Sequence, residues 1–103
     1  MALNYLGKIK VVKKFKPLAI KDRKPPELIE GNNYYISFGS NNAYPCTLLE
    51  VQKQWSVPAV TVKIPVKSKS KIGDKPQHFN EHVVNHNEIG ATPEEAILNE
   101  VHF

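Results

Sequence analysis

The chain has 103 residues, a net charge of +4, eight prolines, four histidines and one cysteine. That length suits one domain with a modest core, and an ordinary apolar and charged content excludes wholesale disorder. No apolar run approaches the ~18 residues of a membrane-spanning helix, and the single Cys46 excludes an internal disulfide framework.

The opening "MALNYLGKIKVVKKF" has too short an apolar run and no small-residue cleavage site for a signal peptide. A cytoplasmic setting, or one within an intracellularly assembled particle, is therefore expected. The charge is unevenly spread. Residues 1–26 carry a balance of +7, residues 27–66 of −1, residues 67–75 of +3 and residues 76–103 of −5. The chain begins basic and ends acidic. A basic segment attracts phosphate or acidic partners, and an acidic end can pair with it within or between molecules.

Taken in order, the dominant period is two, which predicts strands. In "GKIKVVKKFK", Lys8 and Lys10 alternate with Ile9 and Val11, then the phase shifts at Val12. A bulge or bend there would absorb the shift. Pro17, Pro25 and Pro26 break the following stretch into edge strand and loop, with "KDRKPPE" as the exposed loop. In "NNYYISFGSNN", Tyr34, Ile36 and Phe38 are expected to face inward, with Tyr35 and Ser37 opposite. The flanking Gly and Asn residues are turn chemistry. "CTLLEVQK" reads as a partner strand starting at Cys46, with Thr47, Leu49 and Val51 on one face and Cys46, Leu48 and Glu50 on the other. "AVTVKIPVK" is the cleanest strand, with Val60, Val62 and Ile64 inward and Thr61 and Lys63 outward. These three make an antiparallel meander. A Lys/Ser-rich loop follows, then a strand at "HFNEHVV" with Phe79, Glu81 and Val83 on one side and His78, Asn80, His82 and Val84 on the other. Last comes a helix in "ATPEEAILNEV". Thr92 is its N-cap, Pro93 its first residue, and Glu95 completes a Thr-x-x-Glu capping box. Ala96, Ile97 and Val101 form its apolar stripe, with Leu98 beside them.

The expected architecture is one mainly β domain over residues 1–103, a small SH3-like antiparallel barrel, with an OB-like barrel as the alternative. A basic N-terminal strand or arm (1–26) precedes the barrel strands (27–88), and a short C-terminal α-helix (92–101) closes the chain. The barrel is an architectural analogy only.

Little in the chain looks like chemistry. His78, His82 and His86 are spaced by four, among Glu81 and Glu88. In a strand that spacing carries His78 and His86 ~26 Å apart, which disperses ligands rather than gathering them. Only His82, His86 and Glu88 remain testable as a metal set, if the chain bends at 85–87. Cys46 has no local base and reads as a small buried hydrophobe. There is no phosphate loop and no nucleophile elbow. No enzyme activity, metal, cofactor or small-molecule substrate is expected.

What remains is binding. The first expectation is a structural or assembly subunit that contacts a protein partner or its own copies through the basic and acidic ends. A phage or mobile-element particle would be a compatible setting. The alternative is a nucleic-acid-binding barrel. Lys63, with Lys53, Tyr35 and Trp55, would offer a cationic and aromatic face. Loop lysines Lys67, Lys69, Lys71 and Lys75 and arm lysines Lys8, Lys10, Lys13, Lys14 and Lys16 would meet phosphate or an acidic partner.

Overall fold

The structure, a computed structural model, describes residues 7–52, 58–66 and 78–101. Five strands form one antiparallel sheet: β1 (Ile9–Lys10), β2 (Asn33–Ser37), β3 (Asn42–Gln52), β4 (Ala59–Val66) and β5 (His78–Asn85). One helix, α1 (Pro93–Leu98), packs against β2 and β3.

The long strand β3 organises the sheet. Thr47 pairs with Asn33 of β2 and with Lys63 of β4, so those strands flank β3 on opposite edges. Ala43 likewise pairs with Ser37 of β2 and with Ile9 of β1. Hence β1 and β4 share one edge of β3, end to end, and β5 extends the sheet beyond β4. Pro45 lies where the β1 ladder has stopped at Ala43 and the β4 ladder has not begun at Thr47. This is the stretch of β3 that tolerates a missing N–H toward that edge.

The meander from β2 to β5 matches the period-two reading, but the sheet is open. Among the described residues β1 pairs with β3 alone and β5 with β4 alone, so no barrel closes. β1 is two residues long, and beyond Lys10 the backbone bonds to Asn41 instead of to another strand.

One face carries the core. Tyr34, Ile36, Tyr44, Cys46, Leu48, Val60, Val62, Ile64, Val84, Ile89 and Val101 form one buried cluster. Each fully buried aliphatic side chain there contributes about 1.5–3 kcal/mol. The inward sets of β2 and β4 are as expected, except that Phe38 is only half-buried and Ser37, on the opposite face, is buried too. For β3 the alternation named two faces without saying which is buried, and its grouping of Val51 with Thr47 and Leu49 is corrected. Cys46 and Leu48 point into the core, and a bulge between Leu48 and Glu50 then resets the phase so that Val51 packs there as well. The strand also starts earlier than expected, at Asn42.

Thr92 caps α1 as expected: its hydroxyl accepts from the Glu95 N–H at 3.2 Å. A full capping box occurs elsewhere, between Asn85 and Glu88 at the 3-10 turn His86–Glu88 that ends β5. The "KDRKPPE" segment is a further correction. It begins within a second 3-10 turn, Ile20–Asp22, and its Arg23 is buried, not exposed. Arg23 Nη1 donates to Glu88 Oε1 at 3.1 Å, and its Nε donates to the Leu18 carbonyl at 3.2 Å. Nearby, Asn99 Nδ2 donates to the carbonyls of Lys24 and Ile89, and the Leu18 N–H to the carbonyl of Leu98. A charged loop therefore becomes a strap, because its polar groups find partners at the far end of the chain.

Candidate interaction surfaces

Two surfaces stand out, and each begins with local backbone chemistry. The first is the basic arm. Ser40 and Asn41 both take positive φ in the tight turn between β2 and β3, a conformation Asn tolerates better than most residues. The turn aims the Asn41 side chain at the arm. Asn41 Nδ2 donates to the carbonyls of Val11 (3.2 Å) and Lys13 (2.8 Å), and the Val11 N–H returns a bond to the Asn41 carbonyl at 2.9 Å. Val11 is buried, whereas Lys8, Lys10, Lys13, Lys14 and Lys16 are exposed. The Lys13 ammonium lies 5.6 Å from the centroid of Phe15. Among the described residues no carboxylate pairs with any arm lysine; the one ion pair is Arg23–Glu88. Lys14 and Glu100 line the same cleft, of about 410 Å³, beside α1.

The second surface is the outer face of β5 with its outer edge, which the described residues leave unpaired. The ladder puts Pro65 opposite Phe79, Lys63 opposite Glu81 and Thr61 opposite Val83. Lys63 Nζ lies 4.8 Å over the Phe79 ring, taking the aromatic face rather than the facing carboxylate. Phe79 is 45% exposed and Val83 60% exposed. β2, by contrast, has its outer edge covered. Tyr35 and Gly90 exchange N–H···O bonds, and the Val101 N–H reaches the Ser37 carbonyl.

No family model, curated protein or solved structure matches the chain.

The expected lysine and aromatic positions divide three ways. The five arm lysines lie on one ordered segment. Lys63 is on the outer face of β4 and Tyr35, half-buried, on the same face at β2, with β3 between them. Lys53, Trp55, Lys67, Lys69, Lys71 and Lys75 lie outside the described residues.

Among the described residues His82 and His86 do not converge on one point. β5 is extended, His82 sits 5.3 Å from the Phe38 ring, and His86 Nδ1 faces the Pro58 carbonyl at 3.3 Å. Both carboxylate oxygens of Glu88 are engaged, one by Arg23 and one by the Asn85 N–H. Among the described residues no three His, Cys, Asp or Glu side chains are grouped to hold an ion. Burial pushes the Cys46 thiol up to about 12. Among the described residues, a cleft of about 560 Å³ between Pro25, Leu28, Val51 and His86 is lined by no Ser, Cys or Lys and by one carboxylate, Glu30. Among the described residues no helix is long and apolar enough to cross a membrane.

Two features escaped the sequence reading. Phe79 and Val83 share one side of their strand, but both sides of "HFNEHVV" carry apolar residues, so periodicity alone does not tell which faces solvent. Arg23 gave no signal at all, because its partner is 65 residues away.

Proposed function

We propose that the protein is a non-enzymatic assembly subunit that binds another macromolecule through its basic arm. The observation behind this reading is the arm's fixation by Asn41 with its lysines turned outward. An arm already ordered loses less conformational entropy on binding. Five ammonium groups on one short segment, none paired with a carboxylate among the described residues, attract an acidic partner surface. The acidic residues of α1 and its flank, Glu94, Glu95 and Glu100, give the same molecule a surface of opposite sign, so contacts between copies and insertion between larger subunits both fit. An SH3-like or OB-like barrel would use its closed sheet as a platform; here the open sheet supplies a second contact surface instead.

A second reading, nucleic-acid binding, draws on Lys63 stacked over the exposed Phe79, a cation and a ring on one strand pair. Both readings are tested with a variant in which Lys8, Lys10, Lys13, Lys14 and Lys16 are all replaced by Glu. Wild type and variant are used as bait in a low-salt extract of the source cells, with and without nuclease. Protein captured by the wild type only, resistant to nuclease and released by salt, supports the assembly reading. Capture abolished by nuclease favours the second. Equal capture by both baits overturns both.

A further inference from the structure

The sheet has one long edge that its own described residues leave unpaired. The His86 N–H bonds to the Pro58 carbonyl, one step beyond the Ala59–Asn85 pair. Backbone groups alternate along an antiparallel ladder. Val84, His82 and Asn80 therefore aim their N–H and C=O groups at β4, while Phe79, Glu81 and Val83 aim theirs away from the sheet. Natural edges are usually blunted by Lys, Pro, bulges or a covering segment. The eight residues HFNEHVVN contain no Lys, Pro or Gly, and the β4–β5 register runs without a shift. The edge of β2, in the same molecule, is covered by Gly90 and Val101.

We propose that the partner of this edge is a second copy of the chain: two β5 strands pair antiparallel about a two-fold axis at Glu81. This rests on the interaction-subunit reading and names its first partner. The register follows from side-chain chemistry. Opposed residues in an antiparallel pair share a face. Centring on Glu81 places Phe79 against Val83 of the second copy, and Val83 against its Phe79, so both exposed apolar side chains cover each other. Asn80 then faces His82 of the second copy, polar against polar. Centring on His82 would oppose Glu81 to Val83 and Phe79 to Asn85. Centring on Asn80 would oppose Phe79 to Glu81. Each of those sets an apolar side chain against a polar one. The apolar pair lies symmetrically about residue 81, so an identical strand supplies its own complement. The backbone groups of Phe79, Glu81 and Val83 are then used in full, and the two sheets become continuous.

The register has one unfavourable element, Glu81 opposite Glu81, each flanked on its own side by Lys63. That element makes the proposal specific: Glu81→Gln tightens the dimer severalfold. Opposed residues of a hydrogen-bonded pair have Cα atoms ~5.5 Å apart, within disulfide range. Mild oxidation therefore cross-links the Glu81→Cys variant into a covalent dimer, while Val83→Cys, facing Phe79, stays uncross-linked. The buried Cys46 does not compete.

Sedimentation across a concentration series should show a wild-type dimer. Val83→Pro removes an N–H that makes no bond within the sheet, and Val83→Lys places a charge in the apolar pair. Both should be folded monomers, and if the proline variant unfolds, the lysine variant decides. A wild-type monomer at all concentrations overturns the proposal. So does a dimer indifferent to Val83→Lys, or a Val83→Cys cross-link as efficient as that of Glu81→Cys. The two readings fail separately. A strict monomer that keeps arm-dependent capture removes the dimer alone, and a β5 dimer without such capture removes the arm reading alone.

Discussion

Arg23 and Glu88, 65 residues apart in sequence, meet in a buried ion pair at 3.1 Å, their side chains 1% and 11% exposed. The pair joins the N-terminal strap to the turn that follows β5. Glu88 also accepts from the Asn85 N–H, so one carboxylate caps a turn and neutralises a guanidinium at once. Leaving either charge buried alone is costly, about 3–5 kcal/mol. Arg23→Met and Glu88→Gln should each lower the urea midpoint sharply. The double variant should recover part of the loss, because no uncompensated charge remains. A double-mutant cycle by urea denaturation measures this coupling, and additive losses would show the pair to be unimportant.

The arm is predicted to depend on a single amide. Asn41→Ala removes both side-chain bonds to the Val11 and Lys13 carbonyls, and alanine is poorly suited to the positive φ at that position. Hydrogen exchange at the Val11 N–H should rise markedly, while protection in β4 stays as it was. Unchanged exchange at Val11 would show that something other than Asn41 holds the arm.

Gly90 is predicted to be intolerant of any side chain. A β-carbon there would overlap the backbone nitrogen of Ala96 and lie 2.7 Å from the Glu95 carbonyl carbon. Those are helix backbone atoms, which cannot swing aside. Gly90→Ala should therefore cost at least the roughly 1–3 kcal/mol typical of overpacking. Thermal unfolding checks it, with Gly31→Ala as the contrast: nothing lies within 4 Å of that position, so its cost is that of its positive φ, +89°, without crowding.

Cys46 should be chemically silent in the native state. It is buried against Tyr34 and Leu48 in the core, and desolvation is the main cause of its raised thiol pKa. The thiolate, the reactive form, is then scarce at neutral pH. A thiol reagent should label Cys46 only as fast as the protein opens, and at full rate in denaturant. Rapid native-state labelling would contradict the burial.

His82 links stability to pH. Partial burial beside Phe38 lowers its pKa from 6.5, so the unfolded chain takes up the proton more readily than the folded one. The His82 contribution to stability is full above pH 6.5 and declines as the pH falls through that value toward the folded pKa. Urea midpoints from pH 7.5 to 5 should show this decline, reduced in His82→Gln. Equal slopes for the two proteins would assign it to other groups.

Much of the fold was legible in local patterns. Alternation at Tyr34 and Ile36 and at Val60, Val62 and Ile64 identified two strands and their inward faces, because the pleat turns a sequence period of two directly into burial. Gly39 and Asn41 marked a turn through their tolerance of positive φ. Thr92 and Pro93 marked the helix start, because capping involves only residues within one turn.

Tertiary structure decided the rest. The bulge after Leu48 moved Val51 into the core, and its site follows from where β4 pairs, not from the composition of β3. Arg23 became an interior residue because Glu88 came to meet it, a long-range event with no local signature. The expected barrel is an open sheet because, among the described residues, β1 pairs only with β3 and β5 only with β4. The same outcome governs the candidate surfaces. The sequence by itself determined which residues are cationic, aromatic or strand-forming. Only the pairing of distant segments determined which strand edge the described residues leave unpaired, since hydrogen-bond satisfaction along a sheet is a property of neighbours in space.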